Sequence, residues 1–117
     1  NVAFVSNSGL TCPCVGAGLG DVNNDGLDDI AIGMPNAPGG GQIYIIFGKD
    51  GGFGRTTTIE TAANVIISAE ATGDRAGAAI AGLGDINGDG VDDFAISAPS
   101  ATGEVDNAGK VYVFLGY

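Results

Sequence analysis

The chain has 117 residues, with 14 Asp+Glu against 4 Lys+Arg, no His and 22 Gly. A formal charge of −10 argues against binding a nucleic-acid backbone or an anionic membrane surface, both of which need clustered Lys and Arg. No apolar run approaches the ~18 residues that span a bilayer, and 44% apolar content argues against disorder.

Taken in chain order, strand signals outnumber helix signals. Strands are predicted near 1–6, 14–19, 28–34 and 42–48, and again near 64–69, 77–83, 92–98 and 109–115. Runs 43–47 and 111–115 are continuous, β-branched or aromatic and too short for ordinary helices, as expected of strands buried on both faces. No stretch carries a capped 3.6-residue stripe, and residues 49–63 read as a polar, Gly/Thr-rich connection.

The order of signals reflects a repeat. Sliding the chain by 64 residues superposes AGLGDVNNDGLDDIAIGMP (17–35) on AGLGDINGDGVDDFAISAP (81–99), with 13 of 19 positions identical. GQIYIIFG (41–48) then matches GKVYVFLG (109–116) at an offset of 68, the extra four residues falling in 100–108 against 36–40. The organisation predicted is a first unit over 1–53, a connection over 54–63 and a second unit over 64–117. Four short strands per repeat describe a propeller blade, so the fold class is all-β. Two four-stranded antiparallel blades cannot close a propeller on their own.

Each unit carries D-x-N-x-D-G-x-D-D between its second and third strands, and these two windows hold eight of the fourteen acids. Such a cluster repels itself unless a cation holds it. Asp21, Asn23 and Asp25, and then Asp85, Asn87 and Asp89, offer side-chain oxygens at positions 1, 3 and 5. Gly26 and Gly90 permit a sharp turn, Leu27 and Val91 offer carbonyls at position 7, and Asp29 and Asp93 close the set at position 9. An all-oxygen set without His or Cys favours Ca²⁺, one per loop and two per chain. An EF-hand is excluded, because Ile32 and Ile96 stand where it needs a bidentate Glu, and the following residues are strand-like. A merely acidic Asx-Gly turn is the plainer alternative for one loop, and two copies in register weaken it. Asp28 and Asp92, at position 8, are expected to point into solvent.

These motifs, each followed by G-[QK]-[IV]-Y-[IV]-[IF]-[FL]-G, resemble FG-GAP repeats, the blades of the integrin α-subunit β-propeller and of many bacterial surface and secreted proteins. The resemblance implies a Ca²⁺ in the loop joining two strands of each blade, held by Asp21, Asn23, Asp25 and Asp29, and by Asp85, Asn87, Asp89 and Asp93. The Phe-Gly pair that names the family corresponds to Ala76-Gly77 in the second copy and Cys12-Pro13 in the first.

Other signals are weaker. Gly16, Gly18 and Gly20, and the run 39–41, lack the helix and the Lys-Ser/Thr of a phosphate loop. Cys12 and Cys14 read as two small buried thiols, with a local disulfide, a bond to another chain or a soft-metal site as alternatives. Tyr44 and Tyr112 occupy equivalent strand positions and read as packing.

The function expected is an extracellular, secreted or cell-surface calcium-binding structural or adhesive module. It is not an enzyme, because calcium-coordinated carboxylates are not free for acid–base work and no nucleophile–base pair is visible. The alternatives are a glycan- or protein-binding, lectin-like propeller using loops 36–41 and 100–108, and an enzyme accessory domain. The partners expected are copies of itself or further blades of the same propeller, with protein or glycan ligands on loop surfaces, no nucleic acid and no membrane insertion. The chain opens without Met or a leader, which reads as a mature product or a segment of a longer propeller. Residues 1–6 match 65–69, the outer strand of a unit, and are expected to complete the second blade of another copy head-to-tail, giving a ring or a filament.

Overall fold

The computed structural model describes residues 1–7, 14–103, 106 and 108–117. In chain order the elements are β1 (Ala3–Val5), β2 (Val15–Gly20), β3 (Asp29–Met34), β4 (Gln42–Ile46), β5 (Thr56–Thr58), α1 (Ile59–Ala62), β6 (Val65–Ser68), β7 (Ile80–Gly84), β8 (Asp93–Ala98) and β9 (Lys110–Phe114). Two antiparallel sheets, β2-β3-β4-β6 and β7-β8-β9, are the two blades.

The blades do not coincide with the sequence units 1–53 and 64–117. β6 pairs antiparallel with β4, Ile43 facing Ile67 and Ile45 facing Val65, so it closes the first blade from outside. This agrees with the reading of 65–69 as an outer strand. The second blade consequently has three strands among the described residues instead of four.

β1 is also placed differently. It is not a spare strand for another copy: Ala3–Val5 pairs parallel with Thr56–Thr58 of the same chain. Phe4 packs edge-on against Phe53 and joins the apolar cluster on the first blade. The connection 49–63 likewise holds β5 and one turn of helix, where only a loop was predicted. Ile59 explains that turn, since it is buried against Ile46 and Tyr44.

Alternation along the strands sorts the core into two layers. Leu19, Val22, Ala31, Ile43 and Ile45 face the second blade and meet Phe94, Ile96 and Ala98. Phe94 and Phe114 stack there at 5.0 Å between ring centroids. On the opposite face of the first blade, Ile32, Met34, Tyr44 and Ile46 lie under Phe4, Phe53 and Ile59. The central strands of the first sheet, β3 and β4, are therefore buried on both faces, as their unbroken apolar runs required. The second sheet is not: Val111, Val113 and Leu115 on its outer face are exposed.

The blades approach closely where glycine removes a side chain. A Cβ on Gly33 would stand 2.3 Å from the carbonyl oxygen of Gly77, and buried Ala76 fills the core where the family motif has Phe. Cys12-Pro13, the counterpart in the first copy, lies outside the described residues. Cys14 is exposed and disulfide-bonded, which corrects the buried-thiol reading for that residue. Tyr44 and Tyr112 are packing residues as expected, Tyr44 donating its hydroxyl to Gln42 Oε1 at 2.8 Å.

Candidate metal centre: two acidic loops

Each loop leaves its inner strand through a one-residue bulge, between Gly18 and Gly20 in the first blade and between Gly82 and Gly84 in the second. The loop then turns about its first acid. Asp21 accepts the amides of Asp25 and Gly26 at 3.0 and 2.8 Å. Asp85 accepts those of Asp89 and Gly90 at 3.1 and 2.8 Å. Asn23 Oδ1 and Asn87 Oδ1 take the amide two residues on, and Asp25 and Asp89 take those of Leu27 and Val91. These are successive Asx turns, the local reason Asp and Asn alternate here. Gly26 and Gly90, at φ 87° and 89°, make the left-handed turn that position 6 demands. The one non-conservative difference within the loops, Asn24 against Gly88, falls at another left-handed position, which Asn tolerates better than other side chains.

Position 9 does something the sequence did not reveal. Asp29 and Asp93 are fully buried. Asp29 accepts Val22 N–H at 3.0 Å and Gly48 N–H at 2.8 Å, one on each oxygen. Asp93 repeats this with Ile86 at 2.9 Å and Gly116 at 2.8 Å. Each carboxylate thus staples the start of its loop to the far end of the third strand of its own blade.

The electrostatics of the two loops follow from this placement. Burial pushes the Asp29 carboxyl above the ordinary aspartate range; the Gly48 and Val22 amides oppose that rise, and the charges of Asp25 and Asp21 add to it. Asp85, in the open, is held below that range, first by the Gly90 amide and then by those of Gly88, Asp89 and Asn87. Among the described residues no three acidic or cysteine side chains gather into a ready metal cluster. The loop oxygens nonetheless fit a hard cation: all are carboxylate, amide or carbonyl, and each hydrogen-bonded carboxylate oxygen of the two loops keeps a further lone pair except Asp85 Oδ1, which takes both the Gly88 and the Asp89 N–H.

Position 8 overturns an expectation. Asp92 does not point into solvent but reaches the other blade. Its Oδ2 accepts the Asp21 N–H at 3.0 Å while its own N–H donates to the Asp21 carbonyl at 3.1 Å. Asp28, its counterpart, is exposed as expected. Loop 36–41 is committed to packing at its end, where Ala76 and Ala69 donate to the Gly40 and Gly41 carbonyls, while Asn36, Pro38 and Gly39 are exposed.

Radially stacked antiparallel sheets, each with an acidic loop between its inner strands, define a pair of β-propeller blades. The FG-GAP repeat family model matches residues 15–46 and 76–114, and the chain belongs to that family. Among known proteins it is similar to integrin alpha-8 of Gallus gallus, at 39% identity over 108 residues covering 85% of this chain. It is also similar to the phosphatidylinositol-glycan-specific phospholipase D of Bos taurus, at 38% over 103 residues covering 82%, and to integrin alpha-PS3 of Drosophila melanogaster, at 33% over 99 residues covering 85%. The matches span 10%, 12% and 8% of those proteins, so the chain corresponds to about a tenth of their length. Among the described residues no helix is long and apolar enough to cross a membrane.

Proposed function

We propose that the chain is a calcium-stabilised, non-catalytic pair of propeller blades that works within a larger extracellular or cell-surface propeller. The observation that carries this reading is the duplicated loop. Two nine-residue windows fold alike, with all-oxygen donors on one turn and a buried acid beneath. Asp21, Asn23, Asp25, the Leu27 carbonyl and Asp29 would hold one ion, and Asp85, Asn87, Asp89, the Val91 carbonyl and Asp93 the other. When bound, calcium supplies positive charge where the loops concentrate negative charge, bringing the formal charge from −10 to −6.

The partner reading rests on the outer face of the second blade. Leu83, Ile86, Val111, Val113 and Leu115 are exposed, and they correspond in the repeat to Leu19, Val22, Ile43, Ile45 and Phe47, which the second blade covers in the first. A further blade of the same kind fits that face. Likeness to integrin α chains and the disulfide-bonded Cys14 support an oxidising setting outside the cytosol.

Titration calorimetry with calcium should give two sites per chain, and calcium should raise the melting temperature because it binds only folded loops. No calcium uptake by folded protein would overturn the metal assignment. Hydrolase and phosphatase substrates should not turn over with calcium present. A turnover abolished by Asp25→Ala would overturn the non-catalytic assignment.

A further inference from the structure

Asp92 and Asp21 belong to different blades and lie 71 residues apart in sequence, yet they exchange two hydrogen bonds. Asp92 Oδ2 takes the Asp21 N–H, and the Asp21 carbonyl takes the Asp92 N–H. The neighbouring residue is shaped to admit this. A Cβ on Gly20 would lie 1.9 Å from Asp92 Oδ2, whereas a Cβ on the equivalent Gly84 would meet nothing within 4 Å. A third bond, from Tyr117 N–H to the Val22 carbonyl at 3.0 Å, fixes the next residue of the first loop to the tail of the second blade. The side chain of Asp21 is occupied at the same time in folding its own loop onto Asp25 and Gly26.

We infer that Asp92 is a positioning residue for the first loop: through the Asp21 backbone it sets the orientation of that loop's first oxygen donor, so that docking of one blade tunes the cation affinity of its neighbour. The inference rests on the calcium reading above and adds to it a coupling between the two loops, carried by the Asp92–Asp21 pair; Asp28, at the same position of the first loop, is exposed.

The amide signals of Gly26 and Gly90 in a nitrogen–proton correlation spectrum report the two loops separately while calcium is added to the 117-residue chain. In Asp92→Ala the midpoint followed at Gly26 should rise about tenfold or more, the worth of one charge-assisted hydrogen bond, with a smaller change at Gly90. Asp92→Asn, which keeps an acceptor oxygen but not the charge, should recover most of the loss. Asp28→Asn, which removes an exposed charge carried by the first loop itself, should leave the Gly26 midpoint within about twofold. A Gly26 midpoint unmoved in folded Asp92→Ala, or equal losses in the Ala and Asn variants, overturns the inference. If calcium moves neither glycine in the unaltered chain, the calcium reading fails instead, and hydrogen exchange decides the latch. The Asp21 amide should exchange slowly in the unaltered chain and faster in Asp92→Ala; equal rates overturn it.

Discussion

Leu19 and Leu83 occupy the same bulge in the two copies, yet Leu19 is 1% exposed and Leu83 is 39% exposed. Val22 and Ile86, three residues on, stand at 2% and 57%. Nothing in the local sequence separates them, since both lie in the same G-L-G-D turn. The difference comes from the neighbour: the second blade lies on the first, and among the described residues no element lies on the outer face of the second. A repeat residue therefore has two kinds of role, one fixed inside its own blade and one conferred by the next. Asp29 and Asp93, both buried and both bonded to two amides, show the first kind; Leu19 and Leu83 show the second.

That division can be broken experimentally. The largest effect should come from Asp29→Ala or Asp93→Ala, each of which removes a buried carboxylate that holds two amides. Each should cost about 3 kcal/mol or more, and the two should cost alike because the staple is internal to the blade. Urea unfolding with markedly unequal losses would contradict that symmetry. Leu19→Ala should cost about 3 kcal/mol by the same measurement and Leu83→Ala under about 1 kcal/mol, the gap being the neighbour's contribution. Next come Gly20→Ala and Gly84→Ala. Both residues sit at left-handed φ, 75° and 69°, so each change strains the backbone by about 1 kcal/mol. Gly20→Ala should cost at least about 1 kcal/mol more, through collision with Asp92, and that excess should shrink in an Asp92→Ala background.

The smallest effect concerns the ion pair from Lys110 Nζ to Glu70 Oε2, 2.6 Å, which ties the third strand of the second blade to the segment just beyond β6. The Lys110 hydrogen bond holds the Glu70 carboxyl below the ordinary glutamate range. A depressed acid stabilises the fold above its unfolded value and loses that contribution as pH falls through the folded one. Unfolding midpoints measured down a pH series should therefore lose a slight acid dependence in Glu70→Gln, with no change near neutrality larger than a surface pair produces.

Most strand positions were legible because continuous β-branched runs and a 64-residue repeat leave little freedom: of the eight predicted strands, all but β7 begin and end within two residues of the predicted bounds, and only β5 lacks a predicted counterpart. What was not legible has particular causes. α1 is four residues long, too short to display a period, and its only buried residue is Ile59. β1 found a parallel partner in three threonines, a pairing no alternation announces. Asp28 and Asp92 are the same residue in the same motif, and only the stacking of blades tells them apart. The acidic loops themselves were evident from spacing. The burial of Asp29 and Asp93 could have been suspected, because each is the first residue of an apolar strand.

The two hairpins that carry the third strands keep the same register, Ile32 opposite Tyr44 and Ile96 opposite Tyr112, although the stretch between them is four residues longer in the second copy. The added length is absorbed outside the sheet. The acidic loops, at the other end of the same strands, have equal lengths in the two copies. One rim of the blade is thus held to length by its hydrogen-bonding chemistry, and the other tolerates insertion. Beyond Ser100 and the buried Ala101, that rim is where new sequence can be spliced into this scaffold, by evolution or by an engineer, without shifting the register of the strands that support it.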